Sequence, residues 1–342
     1  MTSLRHVAAA AGLFAASLLM TSAAFSLDEL RLAVADTELN PTTDSVLTLA
    51  DSLGLFEKHG LKINYVALSG TPQAVAALNS GAVDLAHISI DAAVRLRADN
   101  NLPIRGIVAV GLGIPYLIAA KDDVKSVEDL VGKSFAIADN GSLDHTLTQT
   151  VLNSMGVDTN GPNYVPVGSP SARVQALAAG RVDATTASYG SFLPVANTPG
   201  IHVLVAPEDF YKAAPVQSKF VAALEGTLTE KYDPVQRFVL ALNEASRAFA
   251  DDPAKWVDFL AAGRDDLTRE DLIKTVDSLE GRWCVNGCMN TDLLQVTMKF
   301  LYEGPDFAGV KAISLDDIVD LRFIAGATEQ LGAYRPGGLD AL

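Results

Sequence analysis

The chain nearly repeats itself at an offset of 99 residues. Tyr65-Val66 recurs as Tyr164-Val165, Val75-x-Ala77-Leu78-x-x-Gly81-x-Val83-Asp84 recurs as Val174-x-Ala176-Leu177-x-x-Gly180-x-Val182-Asp183, and Ser89 falls opposite Ser188. Upstream, at a slightly different offset, Leu32-Ala33-Val34-Ala35-Asp36 resembles Phe135-Ala136-Ile137-Ala138-Asp139. Two copies of one pattern predict two copies of one folding unit.

Each copy reads as strand, helix, strand, helix, strand. Leu32 to Ala35 and Phe135 to Ala138 are unbroken apolar runs, as expected of strands covered on both faces of a parallel sheet. Val46 to Phe56 and Pro72 to Asn79 carry apolar residues at helical spacing. Thr71 is placed as a cap with proline at the first helical position. Gly81 and Gly180 are placed at helix ends, where positive φ is tolerated. Alternation at these lengths predicts an α/β fold with right-handed crossovers. The expected lobes are residues 27–118, joined by about 215–342, and residues 119–214. Ser218 to Leu224 is read as a strand returning to the first lobe. The helical pattern after Pro234, with Phe238, Leu242, Ala245 and Phe249 on one face, is read as a tail packed around it.

Residues 1–26 read as a cleaved export signal. Arg5 and His6 are followed by the apolar run Val7 to Met20 and by small residues at Ala24-Phe25-Ser26. That run is shorter than the ~20 residues needed to span a bilayer. The cysteine that a lipid anchor requires is missing from this segment, since the only two are Cys284 and Cys288. The mature chain is expected free in the periplasm. In that oxidising compartment Cys284-Val285-Asn286-Gly287-Cys288 predicts a disulfide across a tight turn, not a metal site. The chain has 41 acidic against 26 basic residues, a balance that disfavours nucleic acid and anionic lipid as partners.

In open parallel sheets, ligands sit beyond the carboxyl ends of strands, where helix N-termini present free N–H groups. That rule picks out Asp36, Thr37, Ser69, Gly70, Thr71, Ser89 and Asp91 in the first copy. In the second it picks out Asn140, Gly141, Ser142, His145, Ser188 and Tyr189. Small hydroxyl residues and glycines recur there because they cap helices and admit a ligand close to backbone. Tyr116 and Tyr189 are candidates for an aromatic wall, and Lys219, near the return strand, for an anion partner. Asp36, Asp91 and Asp144 near these loops argue against a bare inorganic anion. His87, inside an apolar strand, reads as a core histidine, and His59 and His202 as surface loop residues.

Three segments carry a resemblance to a known family: Gly54-Leu55-Phe56-Glu57-Lys58-His59-Gly60-Leu61, Ala77-Leu78-Asn79-Ser80-Gly81-Ala82-Val83-Asp84, and Leu130-Val131-Gly132-Lys133-Ser134-Phe135-Ala136-Ile137 running into Asn140-Gly141-Ser142. In this order the chain resembles the NMT1-like periplasmic substrate-binding proteins of ABC importers, which serve sulfonate, taurine, nitrate and thiamine-pyrimidine uptake. The resemblance implies a type II periplasmic binding protein fold, two α/β lobes closing on a small-molecule ligand. It also implies a monomer that docks on an importer permease, with no cofactor. Such proteins often carry Trp-Glu-Pro after the strand ending the second repeat. Here the stretch is Ser188-Tyr189-Gly190-Ser191-Phe192-Leu193-Pro194, which leaves sulfonate, aromatic carboxylate and pyrimidine-like ligands all open.

Two other readings share the fold: a thiamine-pyrimidine synthase-like enzyme, and a module reporting to a sensor. The first carries a cysteine-rich motif that this chain lacks. Gly132-Lys133-Ser134 is no phosphate loop, because Val127 stands where the first glycine belongs. Gly111-Leu112-Gly113 lacks the third glycine of a dinucleotide fingerprint, and a Gly-x-Ser-x-Gly elbow is absent. The chain is therefore not expected to be an enzyme.

Overall fold

Unbroken apolar runs become the interiors of two sheets. The structure is a computed structural model describing residues 26–34, 40–68, 70–113, 115–278 and 283–334. The expected export signal, Asp36, Thr37 and Ser69 lie outside the described residues.

The first unit comprises β1 (Asp28–Val34), α1 (Ser45–Ser52), α2 (Leu55–Lys58), β2 (Leu61–Ala67), α3 (Thr71–Asn79), β3 (Leu85–Ser89), α4 (Ile90–Asn100) and β4 (Ile104–Val108). The second comprises β5 (Tyr116–Lys121), β6 (Ser134–Ile137), α5 (Leu143–Ser154), β7 (Asn163–Pro166), α6 (Pro170–Ala178), β8 (Ala184–Ser188), α7 (Tyr189–Phe192), β9 (Ile201–Val205) and α8 (Pro207–Ala213). Then follow β10 (Lys219–Leu224), α9 (Glu225–Glu230), α10 (Tyr232–Asp251), α11 (Pro253–Gly263), α12 (Arg269–Ser278), α13 (Thr291–Glu303), α14 (Leu315–Ile318) and α15 (Arg322–Leu331).

The two sheets have one plan. The first is ordered β2-β1-β3-β10-β4 and the second β7-β6-β8-β5-β9. In each, the first three strands are parallel and the fourth runs antiparallel to both neighbours. Those fourth strands are exchanged. β5 follows the first unit into the second sheet, and β10 leaves the second unit to complete the first. This is the two-lobed periplasmic binding protein architecture. The crossing strand β5 starts at Tyr116, ahead of the boundary expected at 119, because Tyr116 already pairs with Ser188.

Local chemistry explains the element ends. The helical stretch read across Val46 to Phe56 is two helices, since Gly54 at φ 67° turns the chain between them. α3 begins at Thr71 with Gly70 at the cap, one position earlier than Thr71 as cap. Gly81 and Gly180 take matching φ values of 72° and 68°. His202 lies in β9, not in a loop.

The tail completes the first core. Phe238, Leu242, Ala245 and Phe249 of α10 are buried there, with Trp256, Leu294 and Phe323. Phe56 stacks on Phe238 at 5.5 Å, and the Trp256 indole donates to Ser45 Oγ at 3.0 Å. Each such buried aromatic contributes roughly 1.5–3 kcal/mol. Cys284 and Cys288 are joined by a disulfide, and the carbonyl of Gly287 within that loop accepts the Ala109 N–H at 2.9 Å. The bridge thus braces the segment that leaves β4 for the second lobe.

Candidate functional site

Helix starts from both units converge on one cavity of about 100 Å³ between the lobes. Gly70, Thr71 and Pro72 at the start of α3 form one wall. Asp139, Ser142 and Asp144 at the start of α5, with Gly168, Pro170 and Arg173 at the start of α6, form the other. Tyr116 of β5 and Lys219 of β10, the two crossing strands, close the floor. Helix N-termini carry partial positive charge and unsatisfied N–H groups, so the walls favour an acceptor or an anion.

Arg173 is the central side chain. It is 1% exposed, and its Nη1 and Nη2 donate to the carbonyls of Gly168 at 2.6 Å and Thr186 at 3.1 Å. Its Nε lies 3.7 Å from Asp144 Oδ2 and makes no hydrogen bond among the described residues. The Nε is itself buried, with Asp144 as its ion-pair partner, while the residue lines the cavity and brings positive charge to it. Asp144 offers little in return. Its Oδ2 accepts the Ala138 N–H at 2.9 Å and its Oδ1 lies 2.7 Å from Ser142 Oγ, so it chiefly ties the end of β6 to the start of α5.

A second charged group stands at the first lobe. The buried Asp44 carboxyl would be raised by burial, but Lys219 and His87 outweigh that and hold it at about 2. His87 Nδ1 is 2.7 Å from Asp44 Oδ1, while burial lowers the imidazole below its ordinary range and keeps it neutral at pH 7. His87 is therefore a core histidine with a specific partner. Lys219 borders both the cleft and a neighbouring space of about 20 Å³, which also touches Thr42, Thr43 and His87. Each lobe thus brings one cation to the cleft, Lys219 from the first sheet and Arg173 from the second, with Asp139 and Asp144 in the same walls and Asp44 outside them.

Of the residues singled out from sequence, Gly70, Thr71, Tyr116, Ser142 and Lys219 line this cavity. The other described ones, Ser89, Asp91, Asn140, Gly141, His145, Ser188 and Tyr189, are placed outside its walls. Ser89 is buried beneath it, its N–H donating to Thr71 Oγ1 at 3.3 Å. Asp91 is buried in the first turn of α4, where burial raises its carboxyl. Asn140 and Gly141 form an exposed turn. The Gly141 N–H donates to His145 Nδ1 at 3.0 Å, and the His145 ring packs edge-on against Tyr164, away from the cleft.

Ser188 and Tyr189 serve the contact between lobes. The Asn40 amide donates to Ser188 Oγ at 2.8 Å and Ser191 Oγ at 2.7 Å, and the Gly190 N–H donates to Thr42 Oγ1 at 3.2 Å. Tyr189 donates its N–H to the Pro115 carbonyl at 2.7 Å. These hydroxyls are engaged by protein, which is why they do not offer themselves to a ligand here.

Arg173 was not singled out from sequence, although a signal existed. It stands 99 residues after Ala74, a fully buried position of the first repeat, so a buried arginine was readable as the anomaly between the copies.

Comparison with known proteins agrees with this architecture. The NMT1/THI5-like family profile matches residues 43–256, more than half of the chain, and the chain belongs to that family. A Brucella abortus (strain 2308) protein, named as a candidate binding protein, is 29% identical over 222 residues. That match spans 64% of this chain and 66% of the relative, just under two thirds of its length. Among solved structures, a protein of Bordetella bronchiseptica RB50 superposes with a TM-score of 0.75 at 18% identity, covering 88% of this chain and 97% of that one. The alkanesulfonate-binding protein SsuA from Xanthomonas axonopodis pv. citri, bound to MOPS, superposes with a TM-score of 0.67 at 20% identity, covering 87% and 97%. At these identities the likeness establishes the fold. Among the described residues no group of histidine, cysteine and acidic side chains is placed to hold a metal ion, and no helix is long and apolar enough to cross a membrane.

Proposed function

We propose that this chain is an extracytoplasmic solute-binding protein that captures a small organic acid between its lobes and delivers it to the permease of an ABC importer. The observation that carries this reading is the pairing of Lys219 and Arg173 across one cavity, one cation from each lobe. A ligand shifts an open–closed equilibrium only through contacts that differ between the two states. An anionic group held by both cations makes such contacts, because separating the lobes separates the cations. The helix starts of α5 and α6 add donors on the same side.

The named ligand of the SsuA homologue, MOPS, is a sulfonate, which is consistent with an acid group in this cleft. Sulfonates and aromatic carboxylates fit the acid reading, and an uncharged pyrimidine does not use the cations. The periplasm, reached through a cleaved signal, and a monomeric state follow from the same reading.

The test is calorimetric titration of the mature protein with alkanesulfonates, aromatic carboxylates and hydroxymethylpyrimidine. Micromolar binding of an acid, worth about 8 kcal/mol, supports the proposal. Binding of the pyrimidine alone would refute the acid assignment. Turnover of any of these compounds would refute the binding-protein reading itself.

A further inference from the structure

A second, larger cavity of about 570 Å³ lies between α5 of the second lobe and the end of α13 in the tail. Its size falls in the range of small-molecule sites. One wall is a stripe of uncharged polar side chains on α5: Thr146, Gln149, Thr150 and Asn153, at positions one turn apart. The amides of Gln149 and Asn153 are not engaged by other described residues. Thr159 and Asn160 continue the polar wall beyond the helix.

The facing wall is aromatic and fixed. Phe300 packs against the cores of both lobes. Phe307 is buried, with the Arg95 guanidinium 4.4 Å from its ring centre. Between these walls, Asp306 joins the lobes: its carbonyl accepts from Arg95 Nη1 at 2.7 Å and its Oδ2 from Thr146 Oγ1 at 3.1 Å. The groove is therefore pre-shaped by contacts to α4, α5 and the tail.

Its wall on α5 is uncharged. Among the described residues no lysine or arginine lines it. Of its two carboxylates, Asp306 accepts from the neutral Thr146 hydroxyl and Glu303 is 68% exposed with Lys299 3.8 Å away, so both keep their charge and a cation is the rival occupant that a cationic probe must read. Amides and hydroxyls both donate and accept, matching the mixed needs of a polyol, and an aromatic face covers the apolar side of a sugar ring. We propose that this groove is a second site, between the lobes, for an uncharged polyhydroxylated molecule of monosaccharide to disaccharide size. An occupant touching both walls stabilises the arrangement in which they face each other.

The test is saturation-transfer NMR on the full mature protein with D-glucose, trehalose and myo-inositol, and with diaminobutane as a cationic probe. The same titrations are run on Gln149→Ala/Asn153→Ala, whose positions are partly or fully exposed so that the fold is kept, as checked by thermal melting, and on Arg173→Met in the cleft. The expected result is millimolar binding of at least one polyol, weakened about tenfold by the loss of two hydrogen-bonding amides and unaffected by Arg173→Met. Binding by none of the polyols overturns the proposal, as does binding of diaminobutane alone. A polyol signal that survives in the groove variant and disappears with Arg173→Met places the sugar in the cleft and also overturns it. None of these outcomes depends on which acid the cleft binds.

Discussion

Asp84 and Asp183 stand at the same place in the two halves of the chain and do the same work. Asp84 Oδ2 accepts the backbone N–H of Arg31 at the start of the first parallel ladder, and Asp183 Oδ2 accepts that of Ser134 in the second, both at 2.9 Å. The Gly-x-Val-Asp element of the repeat is thus a strand clamp, remote from the ligand cleft.

The clamps set an acid limit on stability. Burial would raise both carboxyls. Hydrogen bonds and charges from Arg31 and Lys231 hold Asp84 at about 2, and those from Ser134 and Lys121 do the same for Asp183. A folded pKa below the unfolded 3.8 stabilises the protein at all pH values above about 4, and that contribution is lost as pH falls from about 4 toward 2. Solvent screening at these partly exposed pairs leaves each clamp on the order of 1 kcal/mol at neutral pH. Urea unfolding at pH 7 and pH 3 should show this loss, and Asp84→Asn should be less stable at pH 7 with a flatter pH dependence.

Gly190 sets how closely the lobes approach. A Cβ there would lie 2.6 Å from Asn40 Oδ1, 2.8 Å from Pro41 Cδ and 3.0 Å from the Thr42 nitrogen. Gly190→Ala is expected to part this contact without unfolding either lobe, removing hydrogen bonds worth about 1 kcal/mol each. Scattering should report a larger radius of gyration, and cleft affinity should fall about tenfold. An unchanged radius with unchanged affinity would count against this contact as part of the closed state.

The Cys284–Cys288 bridge closes a loop of only a few residues, so chain entropy assigns it about 2 kcal/mol. Reduction, or Cys284→Ser with Cys288→Ser, should lower the melting temperature by a few degrees. Because Gly287 supports Ala109, the loss should also weaken ligand binding. A bridge that only clips a surface loop would lower the melting temperature alone.

Arg173→Lys keeps the charge but not the fork that reaches Gly168 and Thr186 and fixes the guanidinium at the cavity wall. Affinity for an acid ligand should drop by about tenfold to a hundredfold, with a smaller cost to stability than Arg173→Met. Equal affinities in Arg173→Lys and the native protein would remove the guanidinium fork from the site.

Much of the fold was legible because it repeats. Buried parallel strands such as β1 and β6 read as unbroken apolar runs, Gly81 and Gly180 marked helix ends, and Phe238 to Phe249 showed one apolar face. The cleft was legible as a set of helix starts, which gave Gly70, Thr71 and Ser142, and Lys219 followed from its place on the return strand. What escaped was pairing at long range. Arg173 looks like an ordinary surface arginine until the chain folds it onto Gly168 and Thr186. Asp44 and His87 lie 43 residues apart and meet only when β3 is covered by α1. Ser188 was a sound hydroxyl at the right strand end, but Asn40 from the other lobe takes it.

The central claim is that Arg173 and Lys219 hold an acid ligand across the lobes. The most direct measurement is native mass spectrometry of the protein isolated from cells under gentle conditions, beside Arg173→Met prepared in the same way. The account predicts a small organic acid bound to the native protein and missing from the variant. An acid adduct of equal abundance on both proteins, or an uncharged or cationic adduct that is lost with Arg173→Met, would contradict it.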